Sequence, residues 1–140
     1  MTDSSTNNDE IVAVYGTLRY GDRANHLMDG CKYLGQDTIK GKLYDLGTYP
    51  GAKFSDVSDS DTIVVDLYSL PNPGILKGLD RYEGYYIDDI NSSLYERKQT
   101  LTNESCASVW VYEYLGEVGE EWRIESGDWF LDDDTTSDGE

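Results

Sequence analysis

The sequence predicts a mixed α+β domain, a small β-barrel with one main helix packed against it. Three observations point there. The apolar segments are mostly short and rich in β-branched or alternating residues. Only one segment carries a longer helical stripe. The order is strand, short helix, several strands, helix and strands again, which is not the regular βαβ alternation of a doubly wound sheet.

The elements follow in order. Ile11-Val12-Ala13-Val14-Tyr15 is a short apolar strand that runs into a glycine turn, Gly16-Thr17-Leu18-Arg19. Asp22 to Asp29 reads as one or two helical turns. Leu34 to Leu46 alternates loosely and breaks at Gly35 and Gly41, predicting two short strands with a bend. Thr62 to Tyr68 is a strand dense in β-branched residues. Asn72-Pro73-Gly74 then supplies a cap and a first-turn proline. On the helix that follows, Ile75, Leu76, Leu79 and Tyr82 fall at helical spacing and form the expected buried stripe. Glu83 closes it, just before Gly84. Leu94 to Leu101 and Ala107 to Leu115 are two further strands. In the second, Val109 and Val111 alternate with Trp110, Tyr112 and Tyr114, so both faces carry bulk.

A chain of 140 residues fits one domain. We expect a disordered tail at 1–9, the folded domain at 10–130 and a disordered acidic tail at 131–140. No apolar run approaches the ~20 residues that a membrane span needs. The polar, acidic start does not resemble a signal peptide, so a cytoplasmic setting is expected. With 28 acidic residues against 11 basic ones, the net charge is −17. Such a surface repels phosphates, so neither nucleic acid nor a membrane is expected as a partner. It reads first as a solubilising surface, and alternatively as an attractor of cationic amines or basic proteins. Cys31 and Cys106 make no disulfide framework and are expected as reduced, buried thiols. His26 has no ligand-type neighbour at zinc spacing, so no metal is expected and a helix-packing role is assigned to it.

Three segments carry chemistry. The turn after the first strand leaves backbone N–H groups to form a small anion nest at Gly16, Thr17 and Leu18. Arg19, directly after it, would reach a substrate carboxylate. Glu83 sits where the negative end of a helix dipole and the aromatic neighbours Tyr85 and Tyr86 would raise its pKa. That is the condition a general base requires. The competing reading makes Glu83 a solvated helix-end residue, and an Arg81–Glu83 pair would weaken it as a base. Tyr44, Tyr49, Tyr68 and Tyr112 read as core residues.

Taken together, the Tyr15-Gly16-Thr17-Leu18 turn, the segments from Gly41 to Gly51 and Leu79 to Gly84, Tyr95-Glu96-Arg97 and Ile124 to Trp129 resemble the gamma-glutamylcyclotransferase-like family, in its small bacterial branch. The resemblance runs from about Ile11 to Asp128. It implies the same small barrel, with Trp129 covering it. It also implies Glu83 as general acid/base, Tyr15, Gly16, Thr17 and Leu18 as the substrate loop, and Tyr95 lining the pocket. The implied reaction is intramolecular and needs no cofactor. The α-amine of a γ-glutamyl group attacks its own side-chain amide and releases pyroglutamate and an amine.

The expected ligand is therefore a small γ-glutamyl compound, and the chain is expected as a monomer or homodimer. A non-enzymatic small-molecule binding module using the same pocket is the alternative. A third possibility is an acidic interaction protein. Residues 85–93 are longer than expected for the compact members. If they closed over the pocket, Asp88 and Asp89 would favour a cationic leaving amine; otherwise they form a solvated loop.

Overall fold

The computed structural model describes residues 10–19, 25–47 and 49–129. The expected tails at 1–9 and 131–140, the start of the Asp22–Asp29 segment and the side chain of His26 lie outside that description.

The strands form two sheets. The larger has five: β1 (Glu10–Val14), β2 (Lys32–Lys40), β5 (Thr62–Leu70), β6 (Tyr95–Leu101) and β7 (Ser108–Tyr114), in the order β2-β5-β1-β7-β6. The smaller is β4-β3-β8, from β3 (Lys42–Asp45), β4 (Pro50–Lys53) and β8 (Arg123–Ile124). The α+β class is as expected. The strands are not continuously hydrogen-bonded around a barrel, because the chain turns out of β2 at Gly41 and starts a second sheet at β3. β1 lies at the centre of the large sheet, antiparallel to β5 and parallel to β7.

Alternation along β1 sends its residues into two core layers. Ala13 packs with Ile39, Leu43, Ala52, Ile63, Val65, Val111 and Ile124 between the sheets. Val12 and Val14 pack with Leu70, Leu76, Leu79 and Tyr112 beneath the helix. The large sheet is thus covered on both faces, which is why its strands carry bulk on both sides. Trp129, 6% exposed, closes the layer between the sheets, in keeping with its expected covering role.

The single long helix, α1 (Pro73–Glu83), buries Leu76 and Leu79 on the sheet, each worth about 2 kcal/mol. Two sequence expectations fail here. Asn72 stands at the cap position but its side chain makes no capping bond. Tyr82 is 48% exposed rather than part of the buried stripe, because it turns toward the β1 loop. The helix ends as its sequence predicts. Gly84 adopts φ 72°, and the N–H groups of Gly84 and Tyr85 bond the carbonyls of Arg81 and Asp80. That left-handed residue fixes Glu83 as the last helical side chain.

Cys106 is exposed at φ 55° in the turn between β6 and β7, correcting the expectation of burial. Cys31 is half-buried, and both thiols are free. None of the described helices is long and apolar enough to cross a membrane.

Candidate active site

A cavity of about 270 Å³ opens where the end of β1, the C-terminus of α1 and the start of β4 meet. Glu83 is in its wall. Tyr15, Tyr49, Tyr82, Tyr95 and Tyr112 also line it, together with Gly16, Thr17 and Leu18.

Hydroxyl groups hold this wall together across the two sheets. Tyr15 donates to the Tyr112 carbonyl at 2.7 Å and accepts the Ala52 N–H at 3.2 Å. Tyr95 donates to the Pro50 carbonyl at 2.8 Å. The Thr17 and Tyr82 hydroxyls meet at 3.0 Å, joining the β1 loop to α1. Gly16 is required at its position by close approach, since a Cβ there would stand 2.6 Å from Pro50 Cγ.

Glu83 accepts no hydrogen bond and forms no ion pair among the described residues. Burial pushes its carboxyl up, and the negative charge of Asp80 pushes it further, to about 8. The causes differ from those expected from the sequence. Tyr85 and Tyr86 do not line the cavity, and Tyr86 is half exposed. Arg81 is exposed and makes no ion pair with Glu83. The solvated reading of Glu83 gives way to a carboxyl in the wall of a partly open cavity. Asp80, one turn back, is itself held by Arg97 through Nε at 2.7 Å and Nη2 at 3.0 Å, and by the Tyr112 hydroxyl at 2.6 Å. The Arg97 guanidinium in turn lies over Trp110, 4.5 Å from the ring centre.

Across the cavity, the N–H groups of Gly16 and Thr17 donate to nothing else among the described residues, and the Gly16 carbonyl accepts the Arg19 N–H at 2.9 Å. Among the described residues, no lysine, arginine or histidine lines the cavity. Its described polar groups are the Glu83 carboxyl, the Gly16 and Thr17 amides and the hydroxyls of Thr17 and the tyrosines, suited to holding an ammonium group and a carboxylate or oxyanion in one molecule. No cluster of metal-ligating side chains occurs among the described residues.

The sequence of residues 12–131 matches the model of the family described as Gamma-glutamyl cyclotransferase, AIG2-like. The chain belongs to that family. The Escherichia coli gamma-glutamylcyclotransferase family protein YtfP is 32% identical over 119 residues, spanning 84% of this chain and 94% of the relative. The solution structure of ytfP from Escherichia coli superposes with TM-score 0.60 at 30% identity, over 88% of this chain and 98% of that one. An aig2-like protein from Mus musculus shares the fold, with TM-score 0.60 at 17% identity over 81% and 82% of the two chains.

Of the residues the sequence nominated in this member of the family, Tyr15, Gly16, Thr17, Leu18, Glu83 and Tyr95 come together in the one cavity. Arg19 does not. It is 1% exposed, and its guanidinium is taken by Asp66 at 3.3 Å and Asp128 at 2.7 Å. Its cation serves the packing of the loop. Residues 85–93 also stay out of the cavity. The loop folds on itself, with the Ser93 hydroxyl accepting the Tyr86 N–H at 2.7 Å and donating to the Asp89 carbonyl at 3.1 Å. Asp88 and Asp89 are exposed. Tyr49 and Tyr112, read as core residues, line the cavity, as do Tyr82, Pro50 and Leu94. A tyrosine in a strand or stripe gives no sign of which layer its hydroxyl enters, so these were not separable by pattern.

Proposed function

We propose that the chain is a γ-glutamylamine cyclotransferase in which Glu83 is the general acid/base. The observation that carries this reading is a carboxyl with no hydrogen-bond partner among the described residues, raised to about 8, lining one cavity with the Gly16 and Thr17 backbone.

The substrate's α-ammonium binds against Glu83, whose carboxylate form its positive charge favours. Glu83 takes one proton, and the freed amine attacks the γ-amide carbon. The new C–N bond closes a five-membered ring. The Gly16 and Thr17 amides stabilise the oxyanion or the α-carboxylate. Glu83 returns its proton to the leaving nitrogen, the old C–N bond breaks, and the ring nitrogen gives up its second proton. Two protons leave the α-nitrogen and two reach the departing amine, which leaves as an ammonium ion beside 5-oxoproline. Nucleophile and electrophile share one molecule, so orientation by the tyrosine walls supplies much of the acceleration.

The test is mass spectrometry of wild type and Glu83→Gln incubated with a panel of γ-glutamyl amines and γ-glutamyl amino acids. Pyroglutamate from wild type alone is the expected result. Ligand binding of equal strength in both proteins, with no pyroglutamate from either, would instead make the pocket a binding module.

A further inference from the structure

Leu94 lines two cavities. One is the site containing Glu83; the other is an open groove of about 430 Å³ bounded by Ile90, Asn91, Ser93, Tyr114, Leu115 and Gly116. Backbone bonds fix Leu94 at the junction. Its N–H donates to the Gly84 carbonyl, directly after Glu83, at 2.8 Å, and its carbonyl accepts the Leu115 N–H at 3.0 Å. A second link runs through the aromatics. Tyr95, in the site, meets Tyr114, in the groove, edge to face with centres 5.4 Å apart. The groove thus begins beside the residue that would protonate a departing amine.

Among the described residues its lining holds no acidic or basic side chain; Asn91, Ser93 and Tyr114 supply neutral polar groups beside Ile90, Leu94 and Leu115. Lys53 stands 5.5 Å from the Tyr114 ring centre but lines neither cavity. A carboxylate or ammonium entering the groove would lose water without gaining a countercharge, whereas a carbon chain would lie against Ile90, Leu94 and Leu115.

Building on the cyclotransferase reading, we propose that this groove is the leaving-group subsite and selects γ-glutamyl amides whose amine carries an uncharged chain. Leu94 divides the part of the substrate that reacts from the part that is selected.

Three amides of equal length test this: γ-glutamyl n-butylamide, γ-glutamyl 4-aminobutylamide and γ-glutamyl 3-carboxypropylamide. Pyroglutamate release by wild type is measured at 0.15 M salt, where a Debye length of about 8 Å screens the protein's overall charge. Affinity for Glu83→Gln is measured by calorimetry. We expect the butylamide to exceed both charged amides at least tenfold in kcat/KM and in affinity. Ile90→Asp, an exposed change in the groove alone, should move the preference to the aminobutylamide. It should leave γ-glutamyl methylamide, too short to reach the groove, within twofold.

Turnover of the three amides at equal efficiency overturns the groove, as does an Ile90→Asp effect equal on the methylamide. No turnover with the affinities still ranked overturns the catalytic reading and keeps the groove as a site for the amide chain.

Discussion

Asp80 and Glu83 share one turn of α1, and the structure satisfies the first carboxylate while leaving the second bare. Arg97 and Tyr112 occupy both oxygens of Asp80 at 2.6–3.0 Å. Glu83 faces the cavity with burial and the Asp80 charge holding its proton to about pH 8. Of two acids three residues apart, one is held by hydrogen bonds and the other is left bare with its proton retained into the neutral range, where acid/base chemistry operates.

The Glu83 carboxyl gains its proton on folding, so its sign in stability is unfavourable above its unfolded value of 4.5. The cost begins near that pH, grows as pH rises and is complete above about 8. Glu83→Gln removes it. At pH 7 we expect the variant to be more stable than wild type by up to about 3 kcal/mol, with the gain vanishing below pH 4.5. Urea unfolding at pH 4 and pH 7 measures both. Turnover should fall by roughly 10²–10⁴. A variant both inactive and less stable at pH 7 would contradict this account.

Asp80→Asn deletes the negative charge beside Glu83 and frees the Arg97 cation from its partner. Both changes favour ionised Glu83, so its pKa should fall below the wild-type value of about 8. The Glu83 carboxyl carbon, followed by NMR across pH 4–9, would show the shift directly. The acid limb of kcat/KM should move to lower pH with it. An unchanged midpoint would mean that burial alone sets it.

Arg19→Met should act on stability and not on substrate. It removes the Arg19 cation from the nearly inaccessible Asp66 carboxylate, and breaking a buried pair in this way typically costs ~3–5 kcal/mol. The denaturation midpoint should drop with an unchanged slope. Arg19→Lys offers the contrast. A raised KM with stability intact would mean that Arg19 contacts substrate after all.

Gly16→Ala places a methyl 2.6 Å from Pro50 Cγ, so either the β1 loop or the start of β4 must shift. We expect a loss of about 1–3 kcal/mol, the usual range for overpacking, with weakened ligand binding. An alanine variant of wild-type stability and affinity would show that the approach of loop and strand is not required.

The helix end and the glycine turn were legible because local rules govern them, whereas Tyr95 was nominated by the family resemblance alone. A stripe followed by glycine stops a helix, and an apolar strand followed by glycine makes a turn. Arg19 was not. Its place in the chain is beside the turn, but the acids that claim it lie 47 and 109 residues away. Strand β4 was missed for a related reason. Pro50-Gly51-Ala52-Lys53 has the composition of a turn, and it is held extended by pairing with β3 and by the distant hydroxyls of Tyr15 and Tyr95. The second sheet therefore stayed hidden, and with it the departure from a continuous barrel.

The hydroxyls of Tyr15 and Tyr95 reach from the five-stranded sheet to the backbone of β4 in the other. Neither sheet owns the pocket. Its geometry exists only where the two are docked, so separating them by a few ångströms dismantles the wall as it opens the core between them. Function then becomes an all-or-none property of assembly, with no half-active form in which one sheet works alone. Ligand binding should report the docking of the sheets as faithfully as any spectroscopic probe of the fold.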